Sequence, residues 1–289
     1  MKNKLVKIFA LAASSALALG ACGTPAAESG QKAASGDAVT LTVGATPVPH
    51  EDILNFVKEK LAKDAGIDLK IVEYNDYVQP NTAVDSGELD ANYFQHIDYL
   101  DDFNAQNGTK LTHGEPIHIE PLGIYSEKHK DIKDIPDGAE VVIPNDTSNQ
   151  ARALKILADN GFFTLASGVD LPSPTDIASN PKKIKVTPGD AANLTGLVGS
   201  VDFAVINSNF AAAANLVPSE DSLAIESVEN NPYGNVLAWN PNSTKLDAIK
   251  KLDELLHSAD VKKYIEEYST SQDDSGKKVQ TKPWLYPAF

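Results

Sequence analysis

Strands and helices alternate along most of this chain, which restricts it to sheets flanked by helices. Residues 39–49, VTLTVGATPVP, alternate apolar and polar side chains and then break at glycine and proline, which predicts a strand entering a loop. Ile53, Val57 and Leu61 then recur every four residues, which predicts a helix that ends near Gly66. The segment IDLKIVEY predicts the next strand. A strand, a helix and a strand at this spacing form a right-handed unit with parallel strands.

The alternation continues to the C-terminus. PNTAVDSGELDANYF predicts a short helix that stops near Gly87 and a short strand, and AEVVIP, KKIKVTP and VDFAVI predict further strands. Residues 148–160 predict a helix that Gly161 ends. Two amphipathic helices close the chain, one lined by Leu246, Ile249, Leu252 and Leu256 and the other by Val261, Tyr264, Ile265 and Tyr268. We predict an α/β protein with two sheets and a ligand cleft between them, beyond the carboxyl ends of strands.

The N-terminal residues predict export and lipid attachment. Three lysines precede the apolar run Ile8–Ala21, whose 14 residues are fewer than the roughly 20 that cross a bilayer. The run leads into LGAC at residues 19–22, which resembles the lipobox of bacterial lipoproteins, where the signal is cut before a cysteine that carries diacylglycerol. We therefore predict a signal peptide at 1–21, a lipid on Cys22 at the extracytoplasmic face of the cell membrane, and a flexible tether over 22–38. The alternative is a lone thiol without a lipid.

Charge and cysteine usage exclude several classes of protein. The formal net charge is −15, and removal of residues 1–21 with their three lysines makes it −18. A charge of this sign argues against binding of nucleic acid and against electrostatic attachment to anionic lipid. Cys22 is the only cysteine, so no disulfide can form within one chain. The mature length of 268 residues suits two lobes.

Arg152 is the only arginine in the chain, beside 24 lysines. It follows Asn145, Asp146, Thr147 and Ser148, all of which are favoured at a helix N-cap. The start of a helix carries free N–H groups and partial positive charge, which together bind anions. A guanidinium one turn further on matches a carboxylate with two parallel hydrogen bonds, which lysine cannot form. The functional interpretation is a carboxylate clamp, and the alternative is a surface arginine paired with an acidic residue.

Aromatic residues are concentrated in one segment. Six aromatic residues lie within 30 residues of one another: Tyr74, Tyr77, Tyr93, Phe94, Tyr99 and Phe103. His96 lies in the same segment. An aromatic wall suits an apolar or thioether side chain, because sulfur gains about 0.3–1.5 kcal/mol against a ring. The cluster fits either a binding pocket or a hydrophobic core.

Two asparagines are further candidates for the site. Asn207 follows the VDFAVI strand, at a strand end that faces the predicted cleft. Asn235 lies in NPYGNV, at the expected return crossover between the lobes. A side-chain amide can donate to a carboxylate and accept from an ammonium group. Taken alone, either asparagine is more typical of a turn than of a binding site.

Five segments in this order resemble the methionine-binding lipoproteins of bacterial methionine ABC importers, the NlpA/MetQ type. They are VGATPVPHEDIL, YNDYVQPN, GELDANYFQH, IPNDTSNQARAL and DFAVINSNFA, and the resemblance extends from about Val39 to the C-terminus. It implies a two-lobed periplasmic-binding-protein fold of type II, with residues 39–121 and 227–289 in lobe I and residues 122–226 in lobe II. It also implies a monomer without a cofactor that hands its ligand to a membrane permease driven by an ATPase subunit.

The resemblance assigns ligand contacts to seven residues. Arg152 and Asn207 would bind the carboxylate of an amino acid, and Asn235 would help to hold its head group. Four more would surround the side chain: Tyr77, Phe94, His96 and Tyr99. Ser208 and Phe210 stand where relatives often have glycine and tyrosine. The implied ligand is L- or D-methionine or a close derivative such as the sulfoxide or a methionine-containing dipeptide.

Three other functions compete with transport of an amino acid. An enzyme is disfavoured, because the chain has no G-x-S-x-G, H-E-x-x-H or G-x-x-x-x-G-K-[ST] motif and its one cysteine is predicted to be acylated. A zinc-type metal-binding lipoprotein is suggested by HGEPIHIE, although we expect His113 and His118 to be solvated or at the cleft edge, on one strand. An adhesive surface lipoprotein would need no clamp for an amino-acid head group.

Overall fold

The structure is a computed structural model, and it describes residues 38–268 and 283–289. The predicted signal peptide, the lipid on Cys22 and all of the tether except its last residue lie outside these residues. Within the described ranges, no helix combines the length and the hydrophobicity that crossing a membrane requires.

The described elements alternate as the sequence pattern predicts. The strands are β1 Val39–Ala45, β2 Ile67–Glu73, β3 Ala91–His96, β4 Thr112–His113, β5 His118–Ile119, β6 Gly123–Tyr125, β7 Glu140–Pro144, β8 Thr164–Leu165, β9 Ile177–Ser179, β10 Lys185–Gly189, β11 Phe203–Ile206, β12 Ala224–Ile225, β13 Gly234–Trp239 and β14 Tyr286–Pro287. The α-helices are α1 Asp52–Val57, α2 Gln79–Ser86, α3 Ile97–Asn107, α4 Thr147–Asp159, α5 Ser208–Ala213, α6 Pro218–Asp221, α7 Leu246–Leu256 and α8 Ala259–Glu266. Short π-helical turns flank α1 at Pro47–Glu51 and Lys58–Ala62, and 3-10 turns span Pro174–Asp176 and Ala191–Leu197.

Two mixed sheets organise the described chain. The larger sheet has the order β14-β5-β13-β3-β1-β2, with β4 also paired to β13, and β1 runs parallel to β2 and β3. The smaller sheet has the order β10-β7-β11-β6-β12, with β7 parallel to β10 and β11. We call the parts built on these sheets the first lobe and the second lobe. This architecture confirms the predicted α/β class with two mixed sheets.

The chain passes between the lobes twice. The first crossover, residues 120–122, joins β5 to β6, and the second crossover, residues 226–233, joins β12 to β13. The exact bounds of the two lobes stay a prediction, because sheet membership does not assign the crossover residues to either side.

Each lobe has its own hydrophobic core. In the first lobe, Leu41 and Val43 of β1 pack with Leu252 of α7, and all three are fully buried. In the second lobe, Leu154 of α4 and Phe203 of β11 occupy the corresponding position. Because each sheet is covered by its own helices, the facing edges of the lobes remain available for polar side chains.

Local sequence explains α4, which carries Arg152. Asp146 is the N-cap, and its Oδ1 accepts a hydrogen bond of 2.9 Å from the backbone N–H of Asn149. The helix follows β7 after two residues, which places its start at the carboxyl end of a central strand. The predicted helix at 148–160 therefore agrees with the structure to within one residue at each end.

Three expectations about elements are wrong. The predicted return crossover at Asn235 is part of β13, where this residue pairs with His96 and His118. HGEPIHIE is not one strand, because it divides between β4 and β5. His118 is neither solvated nor at an edge but fully buried, whereas His113 is partly exposed.

Candidate functional site

One cavity is lined by all seven residues that the resemblance assigns to a ligand. They are Tyr77, Phe94, His96, Tyr99, Arg152, Asn207 and Asn235. Residues from the first lobe and residues on α4 and after β11 face each other across it, so the cavity lies between the two lobes. Its free space, including the opening to solvent, is about 340 Å³.

Five further residues that were not predicted to contact the ligand also line the cavity, although Ser208 had been noted as a difference from relatives: Gln95, Glu120, Asn149, Ser208 and Asn209. Asn149 had a usable signal, because it precedes Arg152 by three residues and so shares its helix face. Glu120 follows the buried His118 by two residues and therefore points to the same side of an extended segment. The remaining three gave no signal apart from their nearness to predicted residues.

Arg152 is buried, with 3 % of its surface exposed, and most of its donors have partners within the protein. Its Nε lies 2.7 and 2.9 Å from the two carboxylate oxygens of Glu226, and its Nη2 lies 2.5 Å from Glu226 Oε2. Nη2 also donates to the carbonyl oxygen of Glu120 at 2.6 Å. The ring of Tyr233 lies 4.4 Å from Cζ on one face of the guanidinium. The pair of parallel hydrogen bonds that Arg152 was expected to form with a ligand carboxylate is thus formed with Glu226.

The part of Arg152 that remains for a ligand is Nη1. A guanidinium has five N–H donors, and the hydrogen bonds to other described residues use Nε and both hydrogens of Nη2. Burial lowers the pKa of Arg152, but the attraction of Glu226 and its hydrogen bonds outweigh burial and raise the pKa overall. Arg152, which lines the cavity, therefore has a fixed positive charge and two N–H donors, on Nη1, that remain for a ligand.

His96 sets the orientation of two amides in the wall. Its Nδ1 accepts a hydrogen bond from Tyr99 N at 3.2 Å, so the neutral ring carries its hydrogen on Nε2, which lies 3.2 Å from Asn149 Oδ1. Burial, and secondly the charge of Arg152, lower the pKa of His96 to about 3, which keeps the ring neutral. Asn207 Nδ2 donates to the same Asn149 Oδ1 at 3.0 Å.

This chain of hydrogen bonds leaves an acceptor free. Asn207 Oδ1 is buried and has no partner among the described residues, although Asn207 lines the cavity. A buried polar atom without a partner costs about 1–3 kcal/mol, so it is expected to receive a hydrogen bond from a ligand or a water molecule. An ammonium group is a suitable donor.

Glu120 adds a carboxylate to the cavity wall. Its Oε1 lies 3.1 Å from His50 Nε2 and 2.8 Å from His118 Nε2, and the backbone N–H of Asn209 also donates to the carboxylate. Burial is the largest influence and raises the pKa of Glu120 overall, while His50, Arg152 and the Asn209 N–H partly offset it. Three N–H groups converge on this carboxylate, which favours its ionised form.

The same three side chains form the one group in the described residues that has the ligand types of a metal site. Their donor atoms, on His50, His118 and Glu120, lie within 4.8 Å of one another. However, both histidines already have partners within the protein: the Tyr93 hydroxyl bonds to His118 Nδ1, and the Thr46 hydroxyl is 2.8 Å from His50 Nδ1. Burial raises the pKa of Tyr93 well above 10, so its hydroxyl keeps its hydrogen. When both hydroxyls donate to Nδ1, both Nε2 atoms carry hydrogens toward Glu120, and neither Nε2 then offers a lone pair to a metal ion.

Three aromatic rings form another part of the cavity wall. The ring centroids of Tyr77, Phe94 and Tyr99 are 5.6–5.9 Å apart. Tyr77 also reaches the second lobe, where its hydroxyl donates to Asn209 Oδ1 at 2.6 Å and its ring lies 4.8 Å from that of Phe210. The cluster is therefore both well packed and part of the cavity wall, so the two interpretations that the sequence left open are compatible.

Buried histidines predict that the folded protein loses stability in mild acid. Burial lowers the pKa of His50 to about 4 and those of His96 and His118 to about 3, whereas an unfolded histidine titrates near 6.5. The unfolded state therefore binds more protons than the folded state below pH 6.5. The contribution of the neutral histidines to the free energy of unfolding is complete above pH 6.5 and is lost as the pH falls toward 4.

Between pH 7.5 and 5.5 each histidine should remove about 1.4 kcal/mol from the free energy of unfolding, or about 4 kcal/mol for the three. Glu120 and Asp146, whose pKa values burial raises, act in the opposite direction and reduce the total. Urea unfolding at the two pH values measures the difference. An unfolding free energy that is equal or higher at pH 5.5 contradicts the prediction.

Comparisons with known proteins agree with this architecture. A family model described as NlpA lipoprotein matches residues 41–276. The chain is 39 % identical over 259 residues to the methionine-binding lipoprotein MetQ of Bacillus subtilis, covering 86 % of this chain and 90 % of that one. A solved lipoprotein structure from Actinomyces odontolyticus is 44 % identical with a TM-score of 0.80, covering 88 % of this chain and 100 % of that one. A nutrient-binding protein from Burkholderia cenocepacia, solved bound to methionine, is 38 % identical with a TM-score of 0.77, covering 86 % and 100 %.

These relatives identify the two-lobed architecture as the periplasmic-binding-protein fold of type II, as predicted. They are substrate-binding lipoproteins rather than enzymes, which confirms that prediction too. They also support a lipid-anchored protein associated with a membrane. The extent of the match, over most of the chain, shows that this protein is a member of the NlpA lipoprotein family.

Proposed function

We propose that the protein captures free methionine in the cleft between its lobes, at the extracytoplasmic face of the membrane. It then delivers the amino acid, as a monomer, to the permease of an ABC importer driven by an ATPase subunit. The observation that carries this proposal is the sorting of polar groups in one cavity. Arg152 Nη1 offers donors, whereas Asn207 Oδ1 and Glu120 offer acceptors, and three aromatic rings line the same cavity.

A free amino acid matches this arrangement in charge. With neutral histidines, the positive charge of Arg152 is balanced by Glu226, so Glu120 leaves the site with one negative charge. The ammonium group of such a ligand can pair with the Glu120 carboxylate, and its own carboxylate can accept from Arg152 Nη1. Asn235 lies beside this head group, with its Oδ1 already 3.0 Å from His50 Nε2.

The side chain of the ligand would lie among Tyr77, Phe94 and Tyr99. These rings would enclose an unbranched, polarisable group, and a thioether gains about 0.3–1.5 kcal/mol from such contacts. In this assignment His96 orients the head-group site, because both of its ring nitrogens bond to protein groups. The methionine-bound relative from Burkholderia cenocepacia supports methionine over other apolar amino acids.

Thermal unfolding of the lipidated full chain in detergent tests the proposal. Bound ligand is first removed by unfolding and refolding, and melting curves are then recorded with L-methionine, D-methionine, norleucine, leucine and alanine. A ligand at 100 times its Kd should stabilise the protein by about 2.7 kcal/mol, which raises Tm by roughly 5–10 °C. We expect the largest rise with a methionine enantiomer and none with alanine.

The control ligand is the hydroxy analogue of methionine, which has a hydroxyl group in place of the ammonium. It should stabilise the protein much less than methionine does. No response to either enantiomer would overturn the proposal, and a response to zinc alone would favour the His50, His118 and Glu120 group as a metal site.

A further inference from the structure

Glu226 connects the ligand-facing arginine to both crossovers. Its backbone N–H donates to the carbonyl oxygen of Leu122 at 2.9 Å, and the backbone N–H of Leu122 donates to Glu226 Oε2 at 3.0 Å. Leu122 belongs to the first crossover and Glu226 to the second, so this pair joins the two segments that link the lobes. Asn231 Nδ2 adds a longer contact of 3.3 Å to the same oxygen.

The guanidinium of Arg152 is held by these crossovers and not by its own helix. Glu226 receives Nε and Nη2, the carbonyl oxygen of Glu120 in the first crossover receives the second hydrogen of Nη2, and Tyr233 in the second crossover covers one face. A planar guanidinium bonded at three of its five N–H groups has one remaining orientation for the other two. Those two, on Nη1, are the donors that remain for a ligand in the cavity that Arg152 lines.

We propose that Glu226 is a positioning residue that preforms the ligand site by fixing the direction of Arg152 Nη1. This inference rests on the proposed function, because it requires a ligand whose carboxylate meets Nη1. It assigns a binding role to a residue that does not line the cavity itself. Preformed groups increase affinity, because less side-chain freedom is lost when the ligand binds.

Positioning and simple electrostatics predict opposite results for Glu226→Gln. Glutamine has nearly the same shape but no charge, so the positive charge of Arg152 loses its partner. Attraction alone then predicts tighter binding of a carboxylate ligand. Positioning predicts weaker binding, because the charged hydrogen bonds that orient the guanidinium are lost.

Calorimetry with two ligands makes the test specific. In Glu226→Gln we expect methionine to bind at least about ten-fold more weakly, whereas methionine amide, which lacks the carboxylate, keeps its wild-type affinity. A merely structural defect would weaken both ligands alike. Glu229→Gln is the matched control, because it makes the same charge change at an exposed position in the same crossover and should leave both affinities unchanged.

The wild-type protein allows a second measurement that needs no variant. Arg152 is the only arginine, so a chain labelled with ¹⁵N-arginine gives a single Nε–H signal in an NMR spectrum. If Glu226 positions the guanidinium, this hydrogen should exchange slowly with water before methionine is added. Fast exchange in the ligand-free protein, with protection only after methionine is added, would show that the ligand itself orders Arg152 and would overturn the inference.

The outcomes separate this inference from the proposed function. If the wild-type protein binds methionine and Glu226→Gln binds it equally or more tightly, only the role of Glu226 is wrong. If Glu226→Gln binds methionine and methionine amide more weakly by the same factor, Glu226 supports the fold and not the ligand site. If the wild-type protein binds neither enantiomer of methionine, the proposed function fails and this inference fails with it.

Discussion

Arg152→Lys is expected to weaken methionine binding by about ten- to one-hundred-fold, because charge-assisted hydrogen bonds contribute about 1.5–3 kcal/mol. Lysine retains the positive charge but has one ammonium group in place of the planar guanidinium. It cannot bond to Glu226 and to the carbonyl oxygen of Glu120 while also presenting donors to the cavity. Calorimetry with methionine measures the loss of affinity.

The same substitution also removes part of a buried ion pair, so the protein should remain folded but with a lower free energy of unfolding. The matched control is Lys155→Arg, which makes the reverse exchange on the exposed face of the same helix. It should change affinity and stability by less than about 0.5 kcal/mol. If Arg152→Lys binds methionine as tightly as the wild-type protein does, the guanidinium does not bind the ligand carboxylate.

Glu120→Gln is expected to reduce methionine affinity by about thirty-fold or more. Truncating one partner of a buried, hydrogen-bonded charge pair costs about 2–5 kcal/mol, and Glu120 would be the negative partner of the ligand ammonium. Glutamine keeps the shape of the side chain but removes the charge. The cavity would then contain no uncompensated negative charge to attract a zwitterion.

Two ligands distinguish this effect from damage to the network of His50 and His118. The hydroxy analogue of methionine has no ammonium group, so its affinity, already lower than that of methionine, should be nearly the same in Glu120→Gln and in the wild-type protein. The affinity for methionine should fall. Glu115→Gln provides the control, because that residue is exposed five positions earlier in the same segment. Equal losses for both ligands would mean that Glu120 maintains the structure and does not recognise the amine.

Local sequence patterns were sufficient to predict several of the helices and strands in this chain. The helix that carries Arg152 was predictable because its N-cap, Asp146, and its stop at Gly161 are encoded within a few residues. By contrast, α3 was not predicted. Its N-cap is His96, an unusual capping residue whose ring accepts from Tyr99 N, and its aromatic side chains obscured the helical period. Apart from β4 and β5, which lie in or beside a segment predicted as one strand, the two- and three-residue strands were also missed, because their pairing depends on partners distant in the chain.

The sequence by itself determined the α/β class and the identity of Arg152 as the candidate cation, because caps, periodicity and residue uniqueness are local properties. Only the tertiary structure decided what Arg152 does with its donors. Its main partner, Glu226, is separated from it by 74 residues and carries no local signature among 40 acidic residues. The unpaired acceptor on Asn207 likewise exists only because the folded lobes bring His96 and Asn149 to its side, since hydrogen bonds between distant residues have no trace in sequence spacing.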